Sequence, residues 1–182
     1  MFNQIIVETK DTKELSNQEL SVVREFLIKS FKHDHNYKHV VYTNQGLYKC
    51  IRMFTGDELI GHILVVQRQI QINGNNFRVG GLGDLAVSPE HRHRGRGLEL
   101  MRAASKLLAN EFFDCGLFFC DPSHFQYFMK VGWIPKAHGK IIYHFQNKAK
   151  YQKSSCILPL NLTQKELYDW HNEDVFIGEG TW

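Results

Sequence analysis

Three arginines, a histidine and two glycines make up the six residues Arg92-His93-Arg94-Gly95-Arg96-Gly97, and this mixture is suited to holding an anion. The glycines let the backbone approach a ligand closely and adopt conformations closed to other residues. The cationic side chains add donors matched to phosphate oxygens. Before the segment, Leu82 to Val87 reads as a strand that stops at Pro89. After it, Leu98-Glu99-Leu100-Met101-Arg102-Ala103-Ala104-Ser105-Lys106-Leu107-Leu108 has the apolar spacing of an amphipathic helix. A strand that turns through glycines into a helix presents unpaired N–H groups and the positive end of a helix dipole, so the spacing predicts an anion cradle.

Other phosphate loops do not fit these letters. A P-loop needs Lys then Ser or Thr after its second glycine, where Leu98-Glu99 stands, and a dinucleotide fingerprint needs a third glycine, where Leu100 stands. Metal chemistry is weakly indicated: His33-Asp34-His35 with His39 comes nearest to ligand spacing but lacks a His-Glu-x-x-His pattern, so no metal is expected. Cys50, Cys115, Cys120 and Cys156 show no Cys-x-x-Cys spacing and read as reduced core or strand residues.

The elements that must position the cradle follow from periodicity. Gln4 to Glu8 reads as a strand, and Asp11 or Ser16 can cap a helix whose apolar face is Leu20, Val23, Phe26, Leu27 and Phe31. A short helix is expected after Asp34. Leu47 to Phe54 and Leu59 to Arg68 form a hairpin around Thr55-Gly56-Asp57-Glu58, and Asn73-Gly74 turns the chain into the strand that feeds the cradle. Leu117 to Cys120 is a short buried strand, Asp121-Pro122-Ser123 opens a helix that Gly132 ends, and Ile141 to Phe145 and Ser155 to Leu160 are further strands. Strands on both sides of a βαβ unit predict a mixed α/β sheet.

The chain has 182 residues, 43% hydrophobic and 23% charged, with a net charge of +3. That suits one globular domain, residues 1–182. No apolar run approaches the ~20 residues that span a bilayer, and Met1-Phe2-Asn3-Gln4 is unlike a signal sequence, so a cytoplasmic protein with no membrane partner is expected. The basic residues lack any recognition-helix, zinc-finger or aromatic RNA motif, so no nucleic-acid partner is expected.

Arg92-x-x-Gly95-x-Gly97 after Leu85-Ala86-Val87-Ser88-Pro89, with Val131-Gly132-Trp133 downstream, resembles the acyl-CoA pyrophosphate loop and flanking segments of the GNAT superfamily of N-acyltransferases. The order of elements is similar to that fold over nearly the whole chain. Ser30-Phe31-Lys32-His33-Asp34, Leu59 to Arg68, Val131-Gly132-Trp133 and the terminal Trp182 resemble the aminoglycoside 2'-N-acetyltransferases more closely. The resemblance implies a GNAT fold, a mixed and mostly antiparallel sheet with central splayed strands flanked by helices. It also implies acetyl-CoA as cosubstrate, bound by Leu85, Ala86, Val87, Arg92, His93, Arg94, Gly95, Arg96, Gly97, Leu98 and Ser123.

Two positions depart from the family pattern. Family members commonly carry Glu two residues before the Leu85 position, where this chain has Gly83. Asp84 is adjacent but belongs to the opposite face of a regular strand, so it replaces the base only if a bulge rotates it. The family tyrosine that protonates the leaving thiolate falls at Phe128, with Tyr127 one place earlier; Tyr127 or Ser123 serves, or the thiolate leaves unaided, a thiol of pKa near ~8.5 being tolerable at neutral pH. In the look-alike group a C-terminal carboxylate and nearby acids hold a cationic acceptor, which here implies Asp34, Glu173, Asp174, Glu179 and the Trp182 carboxylate, the last also relaying a proton. Gly180-Thr181-Trp182 lacks the acid that group places two residues before its last tryptophan.

The expected activity is acetyl transfer to a primary amine of a small molecule, an aminoglycoside or polyamine being the first acceptor class. A non-catalytic acyl-CoA-binding module and an acyltransferase for longer acyl chains or protein amines remain open, as does a homodimer.

Overall fold

The computed structural model describes residues 4–32, 47–152 and 154–179; the expected helix after Asp34 and the His33 to His39 cluster lie outside them. The chain packs as two compact units, one of Met1–Val66 with Gly83–Ala104 and one of Gln67–Leu82 with Ser105–Trp182. Strands β3 (Glu58–Ile72) and β4 (Asn75–Val87) and helix α2 (Arg96–Asn110) each contribute to both.

In the first unit β1 (Ile5–Asp11) pairs antiparallel with β2 (Leu47–Thr55), which pairs antiparallel with β3 across the expected hairpin. Helix α1 (Asn17–Ser30) begins at Ser16, whose hydroxyl takes the Glu19 amide while the Glu19 carboxylate takes the Ser16 amide, a reciprocal capping box. Asp11 instead precedes a short 3-10 turn, Thr12–Glu14. Val23 and Leu27 are fully buried against Leu59 and Ala86, and each such side chain stabilises the fold by about 1.5–3 kcal/mol. Gly61 lets α2 lie close on β3, for a methyl there would come within 3.0 Å of Leu100.

Arg52 on β2 is buried, and its guanidinium bonds Glu8 at 2.7 Å and Glu19 at 2.8 Å, while Lys10 reaches Glu19 at 2.9 Å. These contacts tie β1, α1 and β2 together. The Ser16 backbone N–H on the Glu19 carboxylate, with Lys10 and Arg52 beside it, holds Glu19 well below the usual carboxylate range.

In the second unit the strand order is β6 (Ile134–Pro135), β9 (Ser155–Pro159), β5 (Cys115–Phe119), β4, β3, β10 (Val175–Glu179), β7 (Ile141–Phe145) and β8 (Lys148–Gln152). The β4–β5 and β10–β7 pairs are parallel; the β5–β9, β6–β9, β3–β10 and β7–β8 pairs are antiparallel. The result is a mixed and mostly antiparallel sheet with helices, as the element order implies. Its core gathers Ile70, Ile72, Phe77, Val79, Leu117, Ile157 and Trp170. Helix α3 (Phe125–Met129) follows Asp121, whose carboxylate accepts the Ser123 amide. Trp133 is fully buried and donates to the Ser105 hydroxyl at 3.1 Å.

The sequence reading ends its elements at Leu160, but the structure continues. Helix α4 (Gln164–Asn172) starts at a second capping box, Thr163 with Glu166, and β10 then lies between β3 and β7 with Val175 and Ile177 buried. Lys136 closes the far end of α4 by donating to the Trp170 carbonyl and, at 2.8 Å, to that of Glu173; burial pulls its ammonium down to about 8. Among the described residues no helix is long and apolar enough to cross a membrane.

Because the Glu19 pKa is lowered in the folded chain, its contribution is complete above the unfolded value near 4.5 and is lost as pH falls below it. Glu19→Gln is expected to cost about 1–3 kcal/mol at neutral pH. It should also make stability fall less steeply than in the parent between about pH 5 and about pH 2. Urea unfolding across that range checks both.

Candidate active site

Backbone pairing at the end of β4 changes before the cradle begins. The parallel ladder with β5 runs from Val79↔Cys115 to Leu82↔Phe118, while β4 continues to Val87. On the edge that faced β5 the backbone groups therefore need other partners, while β3 borders β4 on its other edge; three contacts fix this end of the strand. The Asp84 carbonyl is 3.1 Å from His62 Nδ1, the Val87 carbonyl accepts Arg92 Nε at 2.9 Å, and the Ser88 amide donates to the Ile60 carbonyl at 2.8 Å.

Asp84 itself has φ +52, a left-handed conformation in the middle of a strand. Aspartate tolerates this better than most residues, at a cost of about 1–2 kcal/mol. The regular extended geometry of the strand is interrupted there. Leu85 and Val87 on either side are partly buried, and Ala86 is buried against the α1 core.

His62 was not foreseen as a site residue. It stands on β3 opposite Arg52, wholly buried, with its ring against the Asp84 carbonyl. A carbonyl only accepts, so Nδ1 carries the hydrogen. Burial lowers the His62 pKa, opposed by the bond to the Asp84 carbonyl and by the Asp84 carboxylate and reinforced by Arg52. The available signal was a lone polar residue in the apolar run Ile60-Gly61-His62-Ile63-Leu64, since buried polar groups require partners.

Beyond β4, Pro89–His91 forms a 3-10 turn whose start is tied by Ser88 Oγ and His91 Nδ1 at 2.8 Å. His93 and Gly95 are both left-handed, φ +58 and +78, on either side of Arg94. Such alternation turns successive N–H groups toward a common concavity. Helix α2 starts at Arg96, two residues before the expected Leu98, and its Glu99 amide bonds the Gly95 carbonyl. Arg96, Gly97 and Leu98 thus supply first-turn amides that lack helical acceptors. Arg92, His93 and Arg94 are exposed. Arg96 folds onto Glu99 at 2.7 Å, while its Nε is buried without a hydrogen-bond partner. That orphaned donor, the exposed cations and the first-turn amides fit a polyanion.

The remaining expected site residues lie in the second unit or outside the described chain. Ser123 is exposed and Tyr127 partly buried, its ring 5.2 Å from that of Phe128. Phe128 is buried against Phe118 at 4.7 Å, as a core residue. Glu173 ends α4, Asp174 accepts the Lys140 amide at 2.8 Å, and Glu179 lies 3.4 Å from His144. Asp34 and Trp182 lie outside the described residues. Among the described residues no group of three or more His, Cys, Asp and Glu side chains is placed to hold a metal.

A family model described as an acetyltransferase (GNAT) domain matches residues 11–135, from the end of β1 through the cradle and α3 to β6. The chain belongs to the GNAT acetyltransferase family. Solved structures share the fold: Escherichia coli ElaA matches with TM-score 0.63 and 15% identity over 85% of this chain and 99% of its own. The Escherichia coli GNAT family N-acetyltransferase YhbS, solved with CoA, matches with TM-score 0.64 and 12% identity over 97% of this chain and 91% of its own. A Brucella melitensis GNAT family acetyltransferase solved with acetyl-CoA matches with TM-score 0.55 and 18% identity, covering 72% and 84% respectively. The GNAT match contains Asp84, the whole Arg92 to Leu98 loop, Ser123 and Tyr127, and ends before Glu173.

A methyl group at Gly95 would meet open space, so substitution there is opposed by conformation alone. Gly95→Ala should cost about 1–2 kcal/mol, and Gly95→Asn less, because asparagine tolerates the left-handed region. Denaturant unfolding of the two variants measures the difference.

Proposed function

We propose that the protein is a single catalytic domain transferring an acetyl group from acetyl-CoA to a primary amine of a small molecule. The observation that carries this reading is the loop from Arg92 to Leu98: two left-handed residues, first-turn amides of α2, exposed cations and the orphaned Arg96 Nε. Its family membership and the CoA and acetyl-CoA bound by two structural neighbours point the same way. In this reading the loop holds the pyrophosphate, and the backbone of Leu85, Ala86 and Val87 lies along the pantetheine arm. Acetyl-CoA supplies an activated acyl group with a thiolate leaving group.

The chain's own residues then have three tasks. An N–H near Leu85 stabilises negative charge developing on the carbonyl oxygen. Asp84 takes the proton that the attacking amine must lose, a reading supported by the break in regular strand geometry at its left-handed backbone. Tyr127, ahead of Ser123, protonates the leaving sulfur, or the sulfur leaves as thiolate. Aminoglycosides and polyamines are the first acceptors in this proposal, held by Glu173, Asp174, Glu179, Asp34 and the Trp182 carboxylate. The burial of Phe128 favours one rival, a module that binds acyl-CoA without turning it over.

Thiol release from acetyl-CoA across aminoglycosides, polyamines, amino acids and peptides tests the proposal: release with one amine class supports it, and CoA binding without release to any amine supports the module. Arg94→Ala combined with Gly95→Ala should weaken CoA binding at least about 10-fold by calorimetry, and unchanged affinity would dismiss the cradle. Asp84→Asn keeps a side chain suited to left-handed backbone but removes the proton acceptor. Its kcat is expected to fall about 10²-fold or more with CoA affinity retained, as single-turnover and calorimetric measurements together would show.

A further inference from the structure

We propose that His62 is the positioning residue of the reacting end of β4, its Nδ1–H locking the left-handed turn at Asp84 through the Asp84 carbonyl; this rests on the acyltransfer reading of that strand. Four observations meet at one point. Asp84 holds a left-handed conformation inside an otherwise extended strand. Its carbonyl, two residues past the last position paired with β5, is 3.1 Å from a ring nitrogen. The ring is wholly buried. Burial lowers its pKa from the ordinary histidine value, which favours the neutral form. Because the partner is a carbonyl, the nitrogen facing it must be the protonated one.

The geometry explains why a costly buried histidine sits in an apolar strand. A left-handed residue persists only where its surroundings over-determine it. At this place the Ser88 amide is pinned to Ile60 on the same strand, two residues from His62. The Val87 carbonyl is pinned by Arg92. Loss of His62 removes the bond that holds the Asp84 carbonyl in this turn, and a change of backbone conformation there would reorient the Leu85 amide. His62 therefore acts through Asp84 and Leu85, not on substrate. Arg52, its neighbour across β2 and β3, is held by Glu8 and Glu19 and helps keep the ring neutral.

The side chain of asparagine places its amide N–H near the Nδ1 position of histidine, whereas glutamine places it near Nε2. His62→Asn is therefore expected to retain most of the kcat of the parent. His62→Gln and His62→Leu are expected to lose about 10²-fold in kcat, the scale of a misplaced reacting group, with the Kd for CoA changing far less because the pyrophosphate loop is untouched. Equal loss in the asparagine and glutamine variants, or no loss in either, overturns the proposal; this pair decides even if the leucine variant fails to fold. A second readout needs no turnover: long-range 1H–15N spectra of the parent protein at neutral pH should show the His62 ring neutral with hydrogen on Nδ1. A ring carrying hydrogen on Nε2 alone, or a charged ring, overturns it. Absence of thiol release from the parent with tobramycin, spermidine or phenethylamine counts against acyl transfer to those amines and leaves the tautomer to decide the role of His62.

Discussion

The backbone of β4 past Leu82 is the constraint on which the rest depends. A strand that outruns its neighbour on one edge must satisfy the polar groups of that edge in another way, and two side chains bond carbonyls at this end of β4. His62 reaches the Asp84 carbonyl and Arg92 the Val87 carbonyl. Held in this manner, the strand end keeps a defined shape past the end of its ladder with β5, and a defined shape is what an acyl donor lying along it would require.

Conformation and electrostatics then divide the work. Asp84, His93 and Gly95 are left-handed, and each turns backbone groups away from the direction that regular structure would give them. The cations of the loop add attraction for an anion, but two are already partly engaged, Arg92 on the Val87 carbonyl and Arg96 on Glu99. Amides fixed by the fold therefore carry the geometry, with Arg94 and the unpartnered Arg96 Nε supplying charge. The Arg52 cluster works at one remove: it fastens β1, α1 and β2 around the strand that carries His62.

The cradle was legible because its signal is local: glycines, basic residues and an apolar helix within a few positions. The β2–β3 and β3–β4 turns were legible for the same reason, Gly56 and Asn73-Gly74 adopting the left-handed conformations that such residues favour. The C-terminal elements were harder. β8 is an exposed strand of Lys148, Ala149, Lys150, Tyr151 and Gln152 with no apolar alternation, and β10 becomes a strand because β3 and β7 are there to receive it. Helix α4 did carry a local signal, Thr163 three residues before Glu166. His62 was invisible for a different reason: its value lies in a contact 22 residues away, and a single histidine in an apolar run does not name its partner. The departure at Gly83 drew attention to Asp84, yet the left-handed backbone there is visible only in the structure.

The central claim is that the Arg92 to Leu98 loop holds the pyrophosphate of an acyl-CoA. Amide hydrogen exchange with and without CoA tests it most directly. The account predicts that saturating CoA slows exchange at Gly95, Arg96, Gly97 and Leu98, and at Leu85 to Val87 along the strand, while α1 is unaffected. CoA binding that leaves those amides unchanged, or no CoA binding at all, would contradict it.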